Sequence, residues 1–246
     1  MAGKTRHFLT NFMNKRILLS VTCCLMAISA ISQSHISVEG GYCQSIFYCS
    51  QAKSNYYYSF SQYNAYYVSI NYKEDAFQLS KNMRLGGQII WKRQSPWIYR
   101  EDAINDSTTL ATGARYDISS INISFFPELV VGEKARFYFS FGPNFQFVCN
   151  TKAKGQQVLV KNGVNDNPTP VENKNSEDIK GFTFGGKVNL GLEIPIKNNF
   201  YIFLNNSYSA GFTSFNGQLK KRMKFFNCID IYLGGGIAYK INHKTK

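Results

Sequence analysis

Between Arg136 and Cys149 the chain reads RFYFSFGPNFQFVC, and Phe137, Phe139, Phe141, Phe145 and Phe147 occupy alternate positions. Arg136, Tyr138, Ser140, Gly142, Asn144 and Gln146 fill the positions of opposite parity. Successive side chains of a β-strand point to opposite sides, so this spacing predicts a strand with one aromatic face and one polar face carrying a charge. Such an aromatic face has two natural neighbours: the core of a soluble sheet, or the hydrocarbon of a bilayer around a closed barrel whose polar residues point inward.

The same alternation recurs along the chain. Ile36, Val38, Gly40 and Tyr42 begin it, followed by Tyr66, Val68, Ile70 and Tyr72, then Met83, Leu85, Gly87, Ile89 and Trp91. Ile121, Ile123 and Phe125 form a fourth segment, and Arg136–Cys149 is the fifth. Phe182 to Ile194, Phe200 to Phe212 and Ile229 to Ile241 complete about eight, the smallest usual size for a transmembrane barrel. The connections settle the topology. Leu79–Asn82, Val131–Lys134 and Lys197–Asn199 are short and turn-like, whereas 50–65, 98–115, 150–180 and 214–227 are long and polar. Strict short and long alternation predicts an all-β, eight-stranded antiparallel up-and-down barrel with short periplasmic turns and long extracellular loops.

Lys4, Arg6, Lys15 and Arg16 precede the uncharged run 17–31, which ends in small residues before Gln33. That order is that of a secretory signal peptide, here residues 1–32, leaving 33–246 as the barrel domain. Met13 is an alternative start, since Met13-Asn14-Lys15-Arg16 is the more usual opening of such a peptide. The apolar run is shorter than a membrane-spanning helix requires. Removing the leader takes four of the 28 basic residues and none of the 15 acids, so 24 bases face 15 acids in the mature chain, an excess of nine. For an exported chain nucleic acid is not the expected partner. Outer-membrane lipid and the phosphates of lipopolysaccharide are the acidic surroundings that suit this charge.

Glu39, Arg84, Lys92, Arg136, Lys187, Glu193, Asp230 and Lys240 fall on the face expected to point inward. In so narrow a barrel these charges must pair, because an isolated buried charge is very costly. Eight strands leave room for little beyond side chains, so a diffusion pore is not expected.

The hairpin from Tyr116 to Phe147, with Ile121 to Leu129 running to a short turn and then the aromatic, glycine-containing strand Phe137 to Phe147, resembles the PorT-like outer-membrane β-barrel domain family, of the OmpA-like class. The resemblance covers roughly the whole mature chain. It implies a membrane barrel of mostly unassigned role, with some members linked to protein secretion. The last strand, with Gly236 and Tyr239, is similar to the signal read by the barrel-insertion machinery, although Ile241 stands where an aromatic residue is usual and 242–246 trail beyond it.

The chemistry-bearing residues are sparse. His7, His35 and His243 all lie away from the expected external loops, so no base is placed for rim catalysis and no enzyme is expected. Gly181 to Val188 nearly fits a phosphate-binding loop, but Val188 stands where Ser or Thr must hold magnesium, and the run lies within a strand. Cys43, Cys49, Cys149 and Cys228 outlast the leader. Barrel closure and shared inward parity make Cys43–Cys228 the expected disulfide, with free thiols at the rim as the alternative; no cofactor or metal is expected. Tyr56, Tyr57 and Tyr58 crowd one loop, and Lys220, Lys221, Arg222 and Lys224 another. They read either as interfacial belt and solvated rim or as contacts for sugar and lipid phosphate.

The expected role is therefore a structural or surface-binding outer-membrane protein. A secreted lipocalin-like carrier, with the apolar faces turned inward, is one alternative. An accessory part of a protein secretion machinery, with an envelope protein partner, is another.

Overall fold

The computed structural model describes residues 33–52, 56–60, 63–75, 82–173, 179, 181–197, 199–215 and 223–241. These form twelve strands: β1 (Ser34–Ala52), β2 (Tyr56–Phe60), β3 (Tyr63–Asp75), β4 (Met83–Gln94), β5 (Trp97–Asn105), β6 (Thr108–Val131), β7 (Arg136–Lys161), β8 (Val164–Asn165), β9 (Thr169–Asn173), β10 (Gly181–Lys197), β11 (Phe200–Gly211) and β12 (Met223–Ile241). The leader 1–32, Lys220, Lys221, Arg222 and His243 lie outside the described residues, as does the turn before Asn82.

Eight strands close into a ring in the order β6-β4-β3-β1-β12-β11-β10-β7 and back to β6, every pairing antiparallel. Seven of the eight pairings join consecutive ring strands and β1–β12 closes the ring, and the eight alternating segments of the sequence each fall in one of them. β1 closes on β12 from Ser34↔Ile241 upward, so both chain ends of the barrel leave from the same rim. At that rim the β6–β7 turn passes through Gly132, whose φ of +109° few other residues adopt and whose Cβ would lie 2.2 Å from the Ala135 carbonyl oxygen.

The faces sort as a membrane barrel requires. Val38, Ile70, Ile89, Phe141, Ile202, Leu233 and Ile237 are exposed on the outside, while Ser69, Gln88, Asn122, Ser124, Ser140, Asn189 and Ser207 are buried in the lumen. A closed ladder leaves no unpaired edge, and its apolar exterior suits hydrocarbon. The carrier alternative required the apolar faces inside; they are outside.

The long stretches expected as loops are largely strand, which corrects that reading. β4 and β5 keep one register along β6, Gln94↔Ile118 and then Trp97↔Arg115, so they form a single rod interrupted at Ser95-Pro96. β6 and β7 pair from Val131↔Phe137 to Thr108↔Lys161. β2 flanks β5, and β9 flanks the far half of β7. One side of the barrel therefore continues past the rim as a β2-β5-β6-β7-β9 sheet, here called the lip. A bulge marks where wall becomes lip: Ser119 pairs with Asn150 and Ser120 with Val148, leaving Cys149 as the extra residue.

Candidate functional site

The lumen is filled in layers. At the turn rim, Arg84 reaches Asp75 at 3.0 Å, Glu193 at 3.0 Å and Glu128 at 3.3 Å. Lys73 binds Glu128 at 2.7 Å, Arg136 binds Glu193 at 2.9 Å, and Lys240 and His35 lie 3.7 and 3.3 Å from Asp75. Three carboxylates thus cross-link the inner faces of β1, β3, β4, β6, β7, β10 and β12. Lys73, Asp75 and Glu128 were absent from the expected set of interior charges. They lie just past the last apolar residues counted in their segments, Tyr72 and Phe125, and the same parity extended to the strand ends places them inward.

Above this lattice, the Glu39 carboxylate accepts from Tyr67 Oη at 2.5 Å, Asn205 Nδ2 at 2.9 Å, and Ser69 Oγ and Gln88 Nε2 at 3.1 Å. Lys187 Nζ donates to Gln88 Oε1 at 2.5 Å and lies 4.8 Å from the centre of the Tyr232 ring. One amide thus bridges a buried anion and a buried cation. Gly191 and Gly234 make room for two lumenal tyrosines: a Cβ there would meet Tyr138 Oη at 2.3 Å and Tyr67 Oη at 2.1 Å. The next layer is the ion pair Lys92 Nζ–Asp230 Oδ2, 2.5 Å apart and fully enclosed, with Ser45 Oγ donating to Asp230 at 2.6 Å. All eight interior charges expected from sequence lie on the lumenal face, six of them buried and Arg136 and Lys240 half-buried at the turn rim.

The far mouth is closed by a different chemistry. Phe47, Ile98, Ala114, Tyr116, Ile118, Ala153, Ile179, Phe215 and Cys228 pack into one apolar cluster on the inner side of the lip base. Among the described residues, that cluster and the three polar layers below it fill the lumen from one rim to the other. Among the described residues no group of His, Cys, Asp and Glu is arranged to hold a metal ion.

Cys43 and Cys228 are buried free thiols. Both face inward, but β1 and β12 pair Cys43 with Tyr232 and Cys228 with Phe47, so four rungs, about 13 Å, separate them along the ladder. A disulfide needs Cα atoms within about 7 Å, so the expected bond is not formed. Parity was correct and register, which depends on the twist and stagger of the whole barrel, was the missing information. Tyr56, Tyr57 and Tyr58 fall in β2, and Lys224 in β12, with side chains outside the described residues. A basic group that sequence reasoning passed over, Arg93, Arg115, Lys152 and Lys154, is exposed on the outer wall where the lip begins.

No family model matches the chain, and a search of curated proteins finds no match. Solved structures do resemble it. Ail, the attachment invasion locus protein of Yersinia pestis, shares 12% identity over 84% of this chain and 99% of its own, with a TM-score of 0.40. Neisserial surface protein A shares 10% over 85% and 97%, TM-score 0.44. OprG from Pseudomonas aeruginosa shares 9% over 85% and 97%, TM-score 0.41. Likeness at this level carries no argument about the chain; the barrel stands on its own closed ladder.

Proposed function

We propose that this chain is an outer-membrane barrel with a structural or surface-binding role and no enzymatic activity. The sealed lumen carries the reading: with its interior occupied by paired charges and its mouth by an apolar plug, the molecule has its outer surfaces left with which to act. In this reading segment 1–32 is a cleaved export signal, and the short turns face the periplasm with the lip outside. The PorT-like resemblance of Tyr116–Phe147 fits the same architecture, and the last strand is the part the insertion machinery would read.

Two measurements test this. The refolded full chain should run at different mobilities on a denaturing gel with and without boiling, and envelope fractions should contain it. Reconstituted in a planar bilayer it should give no stepwise conductance. An unchanged gel mobility with recovery as a soluble protein would overturn the membrane reading, and a steady ohmic conductance would overturn the sealed one.

A further inference from the structure

The outer wall changes chemistry at one height. Tyr66 and Trp91 are 79% and 48% exposed on the lipid side. Two residues past Trp91 the exposed side chain is Arg93, and on β6 and β7 the corresponding positions are Arg115, Lys152 and Lys154. Register makes these neighbours: Tyr66 pairs with Arg93, Arg93 with Ser119, Asp117 with Lys152 and Arg115 with Lys154. Together they line a groove of about 940 Å³, in which Asp117 is the one acid among the described residues.

That acid organises the bases more than it neutralises them. Its carboxylate lies 3.7 Å from Arg93 Nη2 and 3.9 Å from Arg115 Nε, with Ser95 Oγ donating to it. Glu172, opposite Lys154 across the β7–β9 ladder, is a second acid at the margin. Among the described residues, four bases against two acids give the groove a positive excess.

Location then selects the ligand. Exposed Tyr and Trp mark the level where hydrocarbon gives way to headgroups, and bases just beyond them meet lipid phosphates. From Ser119, opposite Arg93, to Arg115, opposite Lys154, is four residues of β6, about 13 Å. That is wider than one phosphate and suits two carried on one sugar headgroup.

We propose that this groove binds a bis-phosphorylated glycolipid of the surrounding outer leaflet. Arg93 and Lys152 take one phosphate and Arg115 and Lys154 the other, while Tyr66 and Trp91 lie against the sugar and the first acyl carbons. The proposal rests on the membrane-barrel reading above.

The test uses the full chain refolded in neutral phosphatidylcholine nanodiscs doped with bis-phosphorylated lipid A, and native mass spectrometry counts the glycolipid retained. Each base near such a surface contributes enough that Arg93→Ala/Lys152→Ala should weaken retention about thirtyfold. Lys134→Ala/Lys161→Ala removes the same charge from the turn rim and the lip tip, and should leave retention unchanged. The monophosphorylated glycolipid should be held less tightly than the bis-phosphorylated one, and millimolar inorganic phosphate should not displace either. Equal loss in both double variants, or no loss in either, would overturn the site. Equal retention of the two glycolipids, or full displacement by inorganic phosphate, would overturn the ligand assigned to it. Every sample is first checked for the heat-dependent gel shift: a chain without it fails the membrane reading itself, whereas a shifted chain that retains no glycolipid fails this proposal alone.

Discussion

Breaking the Lys92–Asp230 pair from either side should destabilise the barrel unequally, and the order follows from who is left behind. Lys92→Met removes the 2.5 Å cation contact but leaves the Asp230 carboxylate with Ser45 Oγ at 2.6 Å, Tyr232 Oη at 3.1 Å and Ser209 Oγ at 3.5 Å. Asp230→Ala strands the Lys92 ammonium, which among the described residues keeps the Tyr232 ring at 5.9 Å and the neutral Cys43 and Cys228 thiols but no carboxylate in contact. Stranding a buried charge costs about 3–5 kcal/mol. Three hydroxyl donors should hold Lys92→Met near the lower end of that range, with Asp230→Ala near the upper. Removing both charges in Lys92→Met/Asp230→Leu should recover at least about 1.5 kcal/mol relative to the summed single effects, since neither ion is then left alone. Urea titration of the refolded barrel in micelles, followed by the heat-dependent gel shift, reads these values. With a slope of about 1–3 kcal/mol per molar, the single variants should lose about 1–5 M in midpoint. Single variants within 0.5 M of the parent (about 1.5 kcal/mol or less), Lys92→Met as the worse of the two, or strictly additive losses would each refute the reasoning.

Gln88→Met should destabilise by about 2–4 kcal/mol in the same titration, because it removes both the acceptor for Lys187 and a donor to Glu39. Gly234→Val should lower the refolded yield sharply, since the added side chain meets Tyr67 Oη, whereas Gly234→Val/Tyr67→Ala should fold in larger amount than the single variant. Under native conditions a maleimide should modify exposed Cys149 well before buried Cys43 and Cys228, and peptide mapping without reduction should find no Cys43–Cys228 bond.

The ring of eight strands was legible because each membrane segment states its two faces in period two. The lip was not, although it too alternates, because its polarity is inverted. Outside, Ile121, Ile123 and Phe125 are the apolar parity of β6; a few residues earlier the apolar set is Ala114, Tyr116 and Ile118, which face inward. β4 and β5 switch likewise, from outward Ile89 and Trp91 to inward Ile98. A search for one fixed apolar parity reads such a stretch as loop. Read as a switch, it locates the height at which the solvent changes from lipid to water, and the bulge at Cys149 falls at the same place. The basic groove stayed hidden because its residues come from three strands distant in sequence, and only register brings them side by side.

The lip also sets a distance. Thr108 to Ser119 is a run of paired strand reaching about 40 Å before tilt, braced by neighbours on both sides of β6. Because it rises from one arc of the ring, it gives the protein a front and a back. A molecule approaching from the front meets this mast standing clear of the headgroups, and one approaching from the opposite side meets the shorter β1–β12 ladder, which ends at Ala52↔Met223. Whatever this protein touches, its reach and its heading in the plane of the membrane are built into the backbone.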